Sequence, residues 1–156
     1  MPFEIHRVDA RAATDPALLD RLAAIVNAAY ATGEAGMWRP GTERIAIDEV
    51  AALAAGGELL IAETPDEVLG CVRVHRLSGT TWGFGMLAVD PALQGGGSGR
   101  ALVDAAERAA IAAGATTMQL ELLVPVDVPH PAKTRLHGWY SGLGYCLLYT
   151  SPSPRD

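Results

Sequence analysis

At 156 residues, with 49% hydrophobic and 19% charged residues, the chain has the make-up of one globular domain large enough to enclose a core. A net charge of -6 and a pI near 5.1 argue against nucleic acid or an anionic membrane as the principal partner. Two cysteines, Cys71 and Cys146, form no CxxC pair and have no histidine at metal spacing, so neither a disulfide framework nor a metal site is expected.

The N-terminal segment has no apolar signal core, and no apolar run approaches membrane-spanning length. A cytoplasmic protein is expected. Residues 3–9, "FEIHRVD", alternate as a first strand. Asp15-Pro16 reads as an N-cap with proline at the first helical position, followed by Leu18, Leu22, Ile25, Val26 and Ala29 at helical spacing. After the glycine-rich "ATGEAGMWRPG", Thr42 is expected to cap a second helix, "ERIAIDEVAALAA", ending at Gly56-Gly57. Three strands follow, "ELLIAET", "VLGCVRVHRL" and "TWGFGMLAV", joined by tight turns into an antiparallel meander. Asp90-Pro91 closes the meander, and "QGGGSG" opens the helix "GRALVDAAERAAIAA", which stops at Gly114. The strand "TTMQLELLV", the loop "PVDVPHP", a short helix "AKTRLHGWYSG" and a last strand starting in "LGYCLLY" complete the order β-α-α-β-β-β-α-β-α-β. The expected class is α/β (α+β), a mixed, mostly antiparallel sheet flanked by helices, with no repeat and no dividing linker.

Three consecutive glycines before a helix are conformationally expensive, but they can present bare backbone N–H groups to an anion at the helix N-terminus. A P-loop is ruled out because Gly99 is followed by Arg100 and Ala101, without the lysine. The dinucleotide fingerprint fails because its last glycine position falls on Arg100 or Leu102, and the serine elbow fails at Arg100.

Gln94-x-x-Gly97-x-Gly99, preceded by "LAVDP", resembles the Q/R-x-x-G-x-G/A signature of the GCN5-related N-acetyltransferase (GNAT) superfamily. The element order from residue 3 to about 145 is similar to that fold, and "WYSGLGY" resembles the family's C-terminal Y-x-x-x-G-F/Y segment. The resemblance implies acetyl-CoA as cosubstrate, with its pyrophosphate on the amides of Gln94, Gly95, Gly96, Gly97, Ser98, Gly99 and Arg100. It implies that Leu87, Ala88 and Val89 pair with the pantetheine arm beside a bulge that splays this strand from "TTMQLELLV", with Gly83 and Gly85 easing the distortion. Tyr140 would protonate the departing thiolate, a transfer made easy by a phenol near ~10 and a thiol near ~8.5.

Glu121 is the base candidate if its carboxylate points inward among apolar neighbours, the solvent-facing side of the strand being the equal alternative; Glu63, His75, His130 and His137 are lesser options, and a water chain could replace them all. Family members often carry asparagine seven residues before the tyrosine. Lys133 stands there, either reaching a phosphate or solvated. Trp38 and Arg39, in the loop between the first helices, are candidates to wall the acceptor pocket and to grip a carboxylate. The expected activity is direct acetyl transfer to a primary amine of a small molecule, in a monomer or a homodimer. Two other readings remain, a non-catalytic acyl-CoA-binding or regulatory module and an acetyltransferase acting on a protein N-terminus or lysine.

Residues 146–156, "CLLYTSPSPRD", depart abruptly from the alanine-rich composition before them. Back-translated, they resemble a transposase adapter used in sequencing libraries. A domain over 1–145, a non-native tail and a truncated C-terminal end of the sheet are therefore expected.

Overall fold

A computed structural model describes residues 3–33, 44–120 and 131–145. Five strands, β1 (Glu4–Arg7), β2 (Leu59–Glu63), β3 (Val68–Ser78), β4 (Thr81–Val89) and β5 (Thr117–Gln119), form one sheet in the order β1-β2-β3-β4-β5. The first four pair antiparallel, and β5 joins β4 in parallel. Helices α1 (Pro16–Gly33), α2 (Ile47–Ala55), α3 (Ser98–Ala112) and α4 (Pro131–Gly142) flank it. This is the expected class and order; the last expected strand and the tail 146–156 lie outside the described residues.

The local signals explain most of the boundaries. Asp15 Oδ1 accepts from Ala17 N at 3.1 Å, capping α1 with Pro16 as its first residue. The second helix begins later than expected, at Ile47, and Thr42 lies outside the described residues. The cause is Asn27 on α1, whose Oδ1 takes the amides of Arg44 (2.6 Å) and Ile45 (3.0 Å) while its Nδ2 donates to Ile45 O at 3.0 Å. A remote side chain thus supplies the partners that an earlier helical turn would have supplied.

β2 lacks polar alternation because both of its faces are covered. Leu59 and Ile61 join Leu22, Ile25, Val26, Val50 and Cys71 under α1 and α2. Leu60 and Ala62 join Val72, Val74, Phe84, Leu102, Val103 and Ala106 under α3. Among the described residues no helix is long and apolar enough to cross a membrane.

Candidate functional site

Strand β4 changes face partway along. Phe84 packs into the α3-side core, whereas Met86, two residues on, packs into the α1-side core with Ala88. Strand parity forbids this without an extra residue. The register supplies it: Arg73 faces Gly85 and Cys71 faces Ala88, so two steps on β3 match three on β4. Met86 carries the distortion with φ +52°, a value rare for a residue with a side chain.

The β4–β5 ladder runs from Thr81–Thr117 to Gly83–Gln119 and goes no further among the described residues. Asp90 N donates to Leu69 O at 2.9 Å, so that position faces β3. Alternation therefore turns the N–H groups of Leu87 and Val89 away from β3, to the side of β4 on which β5 pairs. Ala88, expected beside them, has its backbone toward β3 and its side chain in the core at 2% exposure. That side of β4 thus presents two of the three amides.

Five residues after Val89 the chain reaches Gln94 and the glycine loop. Gly95 and Gly97 have φ +93° and +86°, and Gly97 is the residue immediately before α3. That left-handed conformation is what selects glycine at both positions, since a Cβ at either would meet no described atom within 4 Å. The first amide of α3 with a backbone acceptor is Ala101 N, donating to Gly97 O at 3.1 Å. From Gln94 to Arg100 no backbone amide has an acceptor among the described residues. Such a row of amides at a helix N-terminus fits a pyrophosphate. Gly97, Arg100, Ala101 and Asp104 line a concavity of about 420 Å³ beside it. Arg100 is exposed there, while Asp104 is neutralised by Arg108 at 2.6 Å.

Tyr140 on α4 packs against Phe84 of β4, with ring centroids 6.0 Å apart, against Trp139 at 5.0 Å and against Tyr145 at 6.3 Å. Tyr145 is tied to α3 by its hydroxyl, which donates to Glu107 Oε2 at 2.5 Å. Burial, reinforced by the phenol of Tyr30 on α1, pushes the Tyr140 pKa well above the usual phenol range. The expected near-match of phenol and thiol acidity therefore does not hold. Tyr140 stays a hydrogen-bond donor, and full proton transfer from it to a thiolate runs uphill.

Lys133 is enclosed at 4% exposure and has a partner within the protein, so it is neither solvated nor displayed to a phosphate. Glu63, on β2 two strands away from β4, is bound to His6 on β1. His75 lies on β3 opposite Gly83, and its Nδ1 is buried with no partner among the described residues. Burial and then the nearby Arg73 charge lower its pKa, which favours the neutral ring. Cys71, also on β3, is fully buried and its thiol is pushed up to about 12. Trp38, Arg39, Glu121 and His130 lie outside the described residues, as does the side chain of His137.

Sequence reasoning missed Asn27, Tyr30 and Arg21, whose roles depend on partners distant in the chain. Arg21 Nη2 donates to Asp90 Oδ2 at 2.8 Å, just before the glycine loop.

An acetyltransferase (GNAT) domain model matches residues 55–146. The chain belongs to the GNAT acetyltransferase family. A GNAT family acetyltransferase from Brucella melitensis, solved with acetyl-CoA, is 21% identical over 97% of this chain and 90% of its own, with a TM-score of 0.63. A PaiA N-acetyltransferase from Thermoplasma acidophilum, solved with coenzyme A, is 14% identical over 98% and 95%, with a TM-score of 0.73. A ribosomal-protein-alanine N-acetyltransferase from Brucella melitensis biovar Abortus 2308 is 17% identical over 99% of both chains, with a TM-score of 0.67. These three share its fold. No curated protein matches the chain by sequence.

Proposed function

We propose that the protein is an acetyl-CoA-dependent N-acetyltransferase that passes an acetyl group directly to a primary amine of a small molecule in a ternary complex. The observation that carries this reading is the continuity of two sets of backbone amides, those of Leu87 and Val89 turned away from β3 and those from Gln94 to Arg100 with no acceptor among the described residues. The β4 edge at Leu87 and Val89 leads within a few residues into the loop from Gln94 to Arg100. A long ligand with a polar arm and a pyrophosphate suits both sets at once, and the solved relatives include complexes with acetyl-CoA and coenzyme A.

In this reading the loop amides and Arg100 hold the pyrophosphate, and Leu87 and Val89 pair with the amide-bearing arm, which brings the thioester to the bulge. A β4 amide there polarises the carbonyl as the amine attacks. The C–N bond forms, the C–S electron pair leaves with sulfur, and the amine proton passes to a base, for which Glu121 is the candidate. Tyr140 donates a hydrogen bond to the departing thiolate, which takes its proton from solvent. No covalent acyl-enzyme is needed, and the enclosed, protonated Cys71 is unsuited to forming one.

The small-molecule acceptor is the finer part of the proposal. Related folds include both an aminoglycoside acetyltransferase and a ribosomal-protein-alanine acetyltransferase, so the fold alone does not choose. The candidates Trp38 and Arg39 would close a pocket suited to a small amine. A thiol-release assay with acetyl-CoA, small primary amines and N-terminal peptides tests it. Turnover with the amines alone supports the proposal. Turnover confined to peptides moves the acceptor to protein, and CoA binding without turnover on either set contradicts the enzymatic reading.

A further inference from the structure

Arg21 lies within α1, outside every recognisable motif, yet its guanidinium ties three segments together. Nη2 donates to the Val68 carbonyl at 2.9 Å, where β3 begins, and to Asp90 Oδ2 at 2.8 Å, where β4 has ended. Asp90 in turn organises the turn that follows. Its Oδ1 accepts from Ala92 N at 2.9 Å and its carbonyl accepts from Leu93 N at 2.8 Å. The Ala92 amide and then Arg21 hold the Asp90 carboxyl below the usual carboxylate range, so the pair is charged at neutral pH.

Asp90 also separates the two sets of amides. Leu87 and Val89 lie immediately before it, and Gln94 follows the short turn Pro91–Leu93. An angular error at Asp90 would move the loop bodily relative to the β4 edge, even with both cores intact. A ligand bridging the two sets is sensitive to that angle.

We infer that Arg21 is a positioning residue for the cosubstrate, fixing through Asp90 the placement of the glycine loop relative to the Leu87–Val89 edge. This rests on the reading of that loop and edge as the acetyl-CoA site.

The test is calorimetric titration of CoA into the full chain for wild type, Arg21→Met, Arg21→Lys, Asp90→Asn and the double variant Arg21→Met/Asp90→Asn. Glu63→Gln, which breaks a different surface pair at the far side of the sheet, is the control. Arg21→Met and Asp90→Asn should each weaken CoA binding about fivefold, the scale of a partly exposed ion pair. The double variant should be no weaker than Arg21→Met alone, because the contact with Asp90 is already lost there. Arg21→Lys should fall between, since a point charge reaches Asp90 without the guanidinium fork. Glu63→Gln should bind as wild type. In the thiol-release assay, KM for acetyl-CoA should rise while kcat and the acceptor KM hold.

Variants that bind CoA as wild type does, even with lowered melting points, overturn the inference. If Arg21→Met does not fold, the Lys and Asn variants decide by the same criterion. Failure of wild type to bind CoA overturns the cosubstrate reading and the inference with it, whereas failure confined to this inference leaves wild-type binding intact.

Discussion

Gly70 on β3 lies so close to Ala88 on β4 that a methyl group at position 70 would stand 2.4 Å from the Ala88 carbonyl oxygen. It would also stand 3.1 Å from Val89 Cα, so backbone rather than a flexible side chain blocks it. The strands approach this closely just past the Met86 bulge, where β4 turns the Leu87 and Val89 amides away from β3. Gly70→Ala must push the Leu87–Val89 segment away from β3, at a cost of about 2 kcal/mol or more. Denaturant melts should show that loss, together with weaker CoA binding. A variant as stable as wild type would show that the contact is not needed.

Asn27→Ala removes three hydrogen bonds that fix the entry to α2. Ile45 is 4% exposed, so its backbone groups lose partners that water does not readily replace. The expected loss is about 2 kcal/mol, read from the denaturant midpoint at unchanged m-value. A midpoint within error of wild type would refute the role assigned to Asn27.

Tyr140→Phe should lower kcat about tenfold or more while leaving CoA affinity unchanged, since only the donor to the departing sulfur is lost. The same phenol predicts alkaline behaviour. Its folded pKa lies above the unfolded value of ~10, so its stabilising effect is complete below ~10 and is lost as pH rises through the folded value. Melts above pH ~10 should therefore fall less steeply for Tyr140→Phe than for wild type. Tyr145, whose pKa is raised by burial and then by Glu107, leaves a residual slope. Identical slopes for the two proteins would refute the assignment.

The His6–Glu63 pair makes a separate pH prediction. The Glu63 carboxylate, as a hydrogen-bond partner, raises the His6 pKa. The pair's stabilisation is thus complete below the unfolded histidine value near ~6.5 and vanishes as pH rises through the folded value. Both side chains are substantially exposed, which keeps the effect below about 1 kcal/mol. Glu63→Gln should melt below wild type at acidic pH, and the difference should close toward alkaline pH. A constant difference would contradict the linkage.

The local features of this chain were legible in its sequence. β4 occupies Thr81–Val89 as expected, because "TWGFGMLAV" is bounded by "SGT" and Asp90-Pro91. The positive φ of Gly95 and Gly97 matches the glycine run, and the α4 segment carries Tyr140 where the motif placed it. What escaped the sequence depends on distant partners. Phe84 and Met86 read as one face until the register with β3 reveals the extra residue. The start of α2 is set by Asn27 from another helix, and Arg21 meets Asp90 across 69 residues of chain. The enclosure of Lys133 and the shifted acidity of Tyr140 follow from packing that no local pattern records.

The central claim is that the backbone amides beside Gly97 bind the cosubstrate, and a thermal melt with and without saturating acetyl-CoA tests it most directly. At ~100 times its dissociation constant the ligand should add ~2.7 kcal/mol, raising the midpoint by several degrees. A cooperative transition whose midpoint does not move would contradict the account.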